Sequence, residues 1–142
     1  MVAQTSSGPL LIVEDDADIR AALQDYLEMH GHEVRVARTG REALEQLAHP
    51  PRPALMVLDM ALPVMDGHRV LTTRKASEAL AQVPVIILSA GMADMNPRDR
   101  AVYASTYNVA AFLKKPVEPR QLLEAIERLA PKPAGPQAGT SP

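Results

Sequence analysis

The sequence predicts an α/β fold in which a parallel sheet carries helices on both faces. Three observations point there. Five short apolar runs alternate with five segments of helical apolar spacing, the pattern of strands joined by right-handed helical crossovers. The runs at 54–58 and 83–88 contain no charged or hydrogen-bonding side chain, as strands buried on both faces require. Four of the runs give way to a polar residue at or just beyond their C-terminal end, and sheets of this kind place their functional groups there.

Composition sets the outer limits. A chain of 142 residues fits one domain. A net charge of −2 lacks the basic excess of a nucleic-acid-binding face. The absence of cysteine excludes a disulfide frame and thiolate chemistry. No run approaches the ~18 apolar residues of a spanning helix, and residues 1–8 have neither the basic start nor the apolar core of a secretory signal. The cytoplasm is the default location, with no membrane or nucleic-acid partner. Residues 1–8 are expected to form a flexible tail, 9–130 the folded domain and 131–142, PKPAGPQAGTSP, a disordered tail or linker.

The elements follow in order. Leu10-Leu-Ile-Val13 is the first strand, with Glu14-Asp15-Asp16 directly after it. Asp16 suits the cap of a helix that turns Ile19, Ala22, Leu23, Tyr26 and Leu27 inward and stops at Gly31. Val34 and Val36 alternate with charged residues, as in an edge strand. Thr39 opens a second helix with Ala43, Leu44 and Leu47 on one face. It ends before His49-Pro50-Pro51, because a residue preceding proline avoids the helical region.

Strand 54–59 then delivers Asp59, and Pro63 and Asp66-Gly67 mark a turn. A third helix carries Val70 and Leu71 inward and extends to Glu78. The fourth strand is 83–89 and a loop spans 91–96. Pro97 fits the first turn of a helix running to Tyr107, with Asn108 as its left-handed closing residue. The last strand, 110–113, leads into Lys114-Lys115-Pro116. Glu118 caps the final helix, Pro119 opens it, and Leu122, Leu123, Ile126 and Leu129 form its buried stripe.

This topology gathers residues far apart in sequence. Glu14 and Asp15 follow the first strand, Asp59 ends the third, Ser89 the fourth, and Lys115 follows the fifth. A lone acid at the mouth of a buried strand is costly without a partner. Three carboxylates together repel and hold protons more tightly unless a cation sits among them. Mg²⁺ suits such a place, since it takes one or two carboxylates plus water and phosphate oxygens. A metal, an ammonium and a hydroxyl converging on a carboxylate neutralise a tetrahedral anion, which is phosphoryl-transfer equipment. Asp59 is then the central acid and the nucleophile.

The blocks Leu11-Ile-Val-Glu-Asp-Asp16, Val57-Leu-Asp-Met-Ala-Leu-Pro-Val-Met-Asp-Gly67, Val85-Ile-Ile-Leu-Ser-Ala90 and Phe112-Leu-Lys-Lys-Pro116 resemble a two-component response-regulator receiver domain of the single-domain, CheY-like type. The resemblance covers nearly all of the folded region, in order. It implies a flavodoxin-like doubly wound (βα)5 sandwich with strand order 2-1-3-4-5. It implies that Asp59 accepts a phosphoryl group from a histidine kinase or histidine phosphotransfer protein. Glu14, Asp15, Asp59 and the backbone carbonyl of Ala61 would hold Mg²⁺, with Glu14 acting through water.

By the same resemblance, Ser89 and Lys115 would bind phosphoryl oxygens, Lys115-Pro116 would be cis, and Phe112 would be the aromatic switch. The protein would not be an enzyme, though Mg²⁺-dependent self-phosphorylation from small donors and slow self-dephosphorylation are implied. Output would pass through a downstream protein, with homodimerisation on phosphorylation as a further option. Three departures stand out. Segment 91–107 is a few residues longer than usual, Phe112 lacks a hydroxyl, and Asn108 replaces a more common Gly.

Plainer readings stand beside these. Asp59 alone reads as a turn acid, and Glu14-Asp15-Asp16 as acids at a helix start; for Asp16 that is the whole role. Ser89 alone reads as a loop cap and Lys114 as solvated. His30, His32, His49 and His68 are unclustered and read as surface residues. Met60, Met65, Met92 and Met95 read as adaptable packing. The competing functions are a receiver fragment of a hybrid histidine kinase, a flavodoxin-like nucleotide or flavin binder, an aspartyl phosphatase, and a degenerate scaffold. The Glu-Asp-Asp loop repels phosphate where a nucleotide binder would offer glycine N–H groups. Ala61 stands where such phosphatases carry a second acid.

Overall fold

The computed structural model describes residues 8–60, 67–90 and 96–130. Strands and helices alternate as β1 (Leu10–Val13), α1 (Ala17–Met29), β2 (Val34–Ala37), α2 (Gly40–Ala48), β3 (Leu55–Asp59), α3 (Gly67–Ala76), β4 (Val85–Ser89), α4 (Pro97–Tyr107), β5 (Ala111–Lys114) and α5 (Pro119–Leu129). The strands pair in parallel in the order β2-β1-β3-β4-β5. The winding direction reverses between β1 and β3, so their carboxyl ends flank the crevice where such sheets bind ligands. Val13 pairs with Leu58, Asp59 with Leu88 and Ser89 with Lys114. The ends of four strands therefore lie side by side.

Strand side chains alternate between the faces and fill two separate cores. On one face Leu11, Val13, Met56, Leu58, Val85 and Ile87 meet Ala43, Leu47, Val70 and Leu71 of α2 and α3. On the other, Leu10, Ile12, Leu55, Val57, Ile86 and Leu88 meet Leu23 and Leu27 of α1 and Leu122 and Ile126 of α5. Burial on both sides explains why β3 and β4 read as continuous apolar runs.

Local chemistry sets the helix ends. Asp16 accepts from the Ile19 N–H at 2.9 Å, Thr39 from Glu42 at 3.1 Å and Asn96 from Asp99 at 2.8 Å, each satisfying an otherwise orphaned donor. Asn108 closes α4 at φ 56°, the left-handed conformation expected of it. Gly67 begins α3 against the end of β3. A Cβ there would lie 2.8 Å from the Met60 Cα, too close for any other residue without a backbone shift.

Several expectations need correction. Ile19 and Ala22 face solvent; the buried positions of α1 are Leu23 and Leu27, because the helix rests on the sheet by a narrow stripe. α3 stops at Ala76, short of Glu78, and a 3₁₀ turn, Leu80–Gln82, leads into β4. Glu118 occupies the N-cap position of α5 but its side chain accepts no capping bond. His32 is buried. The chain reverses at Gly31, φ 91°, and the His32 N–H donates to the Leu27 carbonyl at 3.1 Å. That carries the ring toward α5, with Nε2 3.5 Å from a Glu127 carboxylate oxygen.

Arg74 of α3 was not singled out by the sequence, yet it is fully buried. Its Nε and Nη2 donate to the Val83 carbonyl at 3.1 and 2.7 Å, Nη2 also to Ala81 and Asn108 at 3.2 Å each, and Nη1 to Tyr107 at 2.9 Å. One guanidinium thus pins the entry to β4 and the C-terminus of α4, where the helix dipole favours a cation.

Candidate functional site

The site stands where β1 and β3 end. The Glu14 N–H continues the β1–β2 ladder by donating to the Ala37 carbonyl at 3.0 Å, which drives the Glu14 side chain inward. Glu14 and Asp59 are each only 1% exposed, whereas Asp15 is exposed. The three carboxylates each bring an oxygen to within 4.8 Å of the others, a set able to hold a metal ion. All donors are hard oxygens, which matches the preference of Mg²⁺.

Lys115 supplies the countercharge. Its Nζ donates to Glu14 Oε1 and to Asp59 Oδ2, each at 3.2 Å. Its backbone N–H donates to the Ser89 carbonyl at 3.4 Å, tying the end of β5 to that of β4. The Lys115–Pro116 bond is cis, as the resemblance implied; Pro50–Pro51 is cis as well. The other oxygen of Glu14, Oε2, accepts from the Asp16 N–H at 3.2 Å.

Burial raises the Glu14 carboxyl above its ordinary 4.5, and the Asp59 charge pushes the same way, against the lowering effects of the Asp16 N–H and of Lys115. For Lys115, burial pulls downward. The Asp59 and Glu14 carboxylates outweigh it, so the ammonium is held above its ordinary 10.5. The site is a compact acid cluster held together by one buried-edge cation.

The structure therefore brings Glu14, Asp15, Asp59 and Lys115 together. Ser89 closes β4 one position beyond the partner of Asp59 and is half-buried. Phe112 lies on β5 opposite Ile87, half-buried against the α2–α3 core, with its ring centroid 6.2 Å from that of Tyr103 on α4. Ala61 lies outside the described residues, as do Met65, Met92, Met95 and the loop 91–95. A residue not foreseen is Arg20 of α1, whose Nη1 donates to the carbonyls of Glu14 at 3.0 Å and Asp15 at 3.4 Å. It lies on the polar side of a helix, where apolar periodicity carries no signal.

Known proteins share both fold and sequence. A family model described as response regulator receiver domain matches residues 10–127. The response regulator protein FleR of Pseudomonas aeruginosa is 36% identical over 121 residues, 85% of this chain and 24% of its own length. The signal receiver domain of a signal transduction histidine kinase from Syntrophus aciditrophicus superposes with a TM-score of 0.73 at 32% identity, covering 87% of this chain and 90% of that one. A response regulator receiver protein from Pseudomonas putida gives 0.75 at 31% identity, covering 89% and 99%. The chain spans 55% and 52% of the length of two further curated relatives, about half of each. Five parallel strands in the order 2-1-3-4-5, a match across most of the described residues and an acid cluster at the strand ends agree with one another: the chain belongs to the response regulator receiver domain family of two-component signalling proteins.

Proposed function

We propose that this chain is a phosphoacceptor module in which Asp59 takes a phosphoryl group from a phosphohistidine of a histidine kinase or histidine phosphotransfer protein. The observation that carries this reading is the Lys115 ammonium, 3.2 Å from both the Glu14 and the Asp59 carboxylates, beside a third carboxylate on Asp15. Such an arrangement concentrates negative charge and its compensation at one nucleophile.

In the step itself a carboxylate oxygen of Asp59 bonds to phosphorus as the phosphorus–nitrogen bond breaks. The departing imidazole keeps the electron pair and takes up a proton, and an acyl phosphate remains on Asp59. Glu14, Asp15, Asp59 and the backbone carbonyl of Ala61 would hold Mg²⁺, which when bound neutralises charge on the phosphoryl oxygens. Lys115 leaves the carboxylate pair to bind a phosphoryl oxygen, and the Ser89 hydroxyl donates to another. Phe112 responds by deeper burial, since it has no hydroxyl to bond. The readout is a change in contacts with a downstream protein. The compartment is cytoplasmic; among the described residues no helix is long and apolar enough to cross a membrane. Placement within a larger kinase chain is the second reading, favoured by the similarity to a histidine kinase's receiver domain.

Incubation with acetyl phosphate and Mg²⁺, read by intact mass, tests the proposal. Wild type is expected to gain one phosphoryl group, lost on chelation with EDTA before labelling, while Asp59→Asn gains none. Equal labelling of both proteins, or labelling indifferent to EDTA, contradicts it.

A further inference from the structure

We infer that Arg20 is a positioning residue for the paired carboxylates at the end of β1, and that it sets the affinity of the site for a divalent cation. The inference rests on the reading of Glu14, Asp15 and Asp59 as a Mg²⁺ site.

Consecutive residues of an extended chain point to opposite sides. Glu14 is buried and Asp15 exposed, yet both present an oxygen within 4.8 Å of the other and of Asp59. The backbone between them has to bend and stay bent. The bend is fixed from three directions. The Glu14 N–H is bonded to Ala37, and the Glu14 side chain receives the Asp16 N–H. Arg20 bonds the carbonyls of both acidic residues through one nitrogen, at 3.0 and 3.4 Å. Arg20 is itself anchored, since its N–H donates to the Asp16 carbonyl at 2.9 Å in the first turn of α1. Helix and acidic loop are thereby locked as one unit.

Two effects of opposite sign follow. A guanidinium near the site repels an incoming cation, while a fixed loop spares the cation the cost of ordering its ligands. The charge is half-exposed, so water and salt screen it, and it also acts on Glu42 of α2. Groups that orient metal ligands are worth about 10–100-fold in affinity. Geometry therefore wins over repulsion, and removing Arg20 weakens binding.

The test is calorimetric titration of the full chain with Mg²⁺, for wild type, Arg20→Ala, Arg20→Lys and the ligand control Asp15→Asn, with urea melts in EDTA alongside. Arg20→Ala is expected to bind about tenfold more weakly with its melt in EDTA close to wild type, and Arg20→Lys to lie between. Unchanged or tighter binding by Arg20→Ala overturns the inference and leaves the metal reading intact. Absence of Mg²⁺ binding by wild type, or equal binding by Asp15→Asn, overturns the metal reading and this inference with it. Should Arg20→Ala not fold, Arg20→Lys decides: weaker binding than wild type upholds the inference, and equal binding overturns it.

Discussion

Glu14 bears the electrostatic cost of the site. Its folded-state proton affinity is raised by burial first and by Asp59 second. Between the ordinary value of 4.5 and the raised one, the folded protein holds a proton that the unfolded chain has released. Stability of the metal-free protein therefore falls as pH rises through that window. Lys115 behaves differently. Its raised affinity contributes stability that is fully present below 10.5 and is lost only as pH climbs through its folded value, so it adds no slope in weak acid. Urea midpoints in EDTA are thus expected to decline from pH 4.5 to the raised Glu14 value in wild type and then to level, and Glu14→Gln is expected to flatten the decline. An unchanged slope in that variant would mean the strain lies elsewhere.

Among the five α-helices, α4 is the least secured. None of its residues is buried, whereas α5 buries Leu122, Leu123, Ala125 and Ile126. What holds α4 is a seam of rings, with Tyr107 5.0 Å from His68 of α3 and Tyr103 6.2 Å from Phe112 of β5 between centroids, and the Arg74 clamp on its C-terminus. Elements with few buried contacts open at low free energy. Amide exchange is expected to protect α5 far longer than α4, and equal protection would contradict this account of their packing. Leaving buried carbonyls unpaired costs about 1–3 kcal/mol each. Arg74→Ala, which strips the guanidinium bonds from the buried Val83 carbonyl and from the partly exposed Tyr107 and Asn108 carbonyls while Ala81 keeps the Asn108 Nδ2 donor at 3.0 Å, is expected to lower unfolding free energy by about 1–3 kcal/mol. A urea titration showing a loss below about 1 kcal/mol would mean the carbonyls find other partners. Arg74 was invisible in the sequence for a physical reason: an arginine in a helix normally reads as solvated, and nothing local marks four carbonyls converging on it. The stripe of α5 was legible because period and burial coincide there. In α1 the period extended to Ile19 and Ala22, which lie outside the narrow buried stripe of Leu23 and Leu27. The 3₁₀ turn at Leu80–Gln82 offers too few residues for any period to register.

On the scale of the whole molecule, parallel winding turns sequence distance into proximity. Lys115 lies 56 residues from Asp59 and 101 from Glu14, and each was legible because it follows an apolar run that the fold aligns with the others. Arg20 was not, because its role depends on the path of a loop and not on strand ends. The central claim is that this alignment makes Asp59 the phosphoryl acceptor. Its most direct test is to treat acetyl-phosphate-labelled protein with borohydride, which reduces an acyl phosphate to an alcohol, and to map the product by peptide mass spectrometry. The account predicts homoserine at position 59 and aspartate at 15 and 16, in Mg²⁺-treated protein alone. Homoserine at another acid, or phosphate retained on a serine or histidine with Asp59 intact, would contradict it.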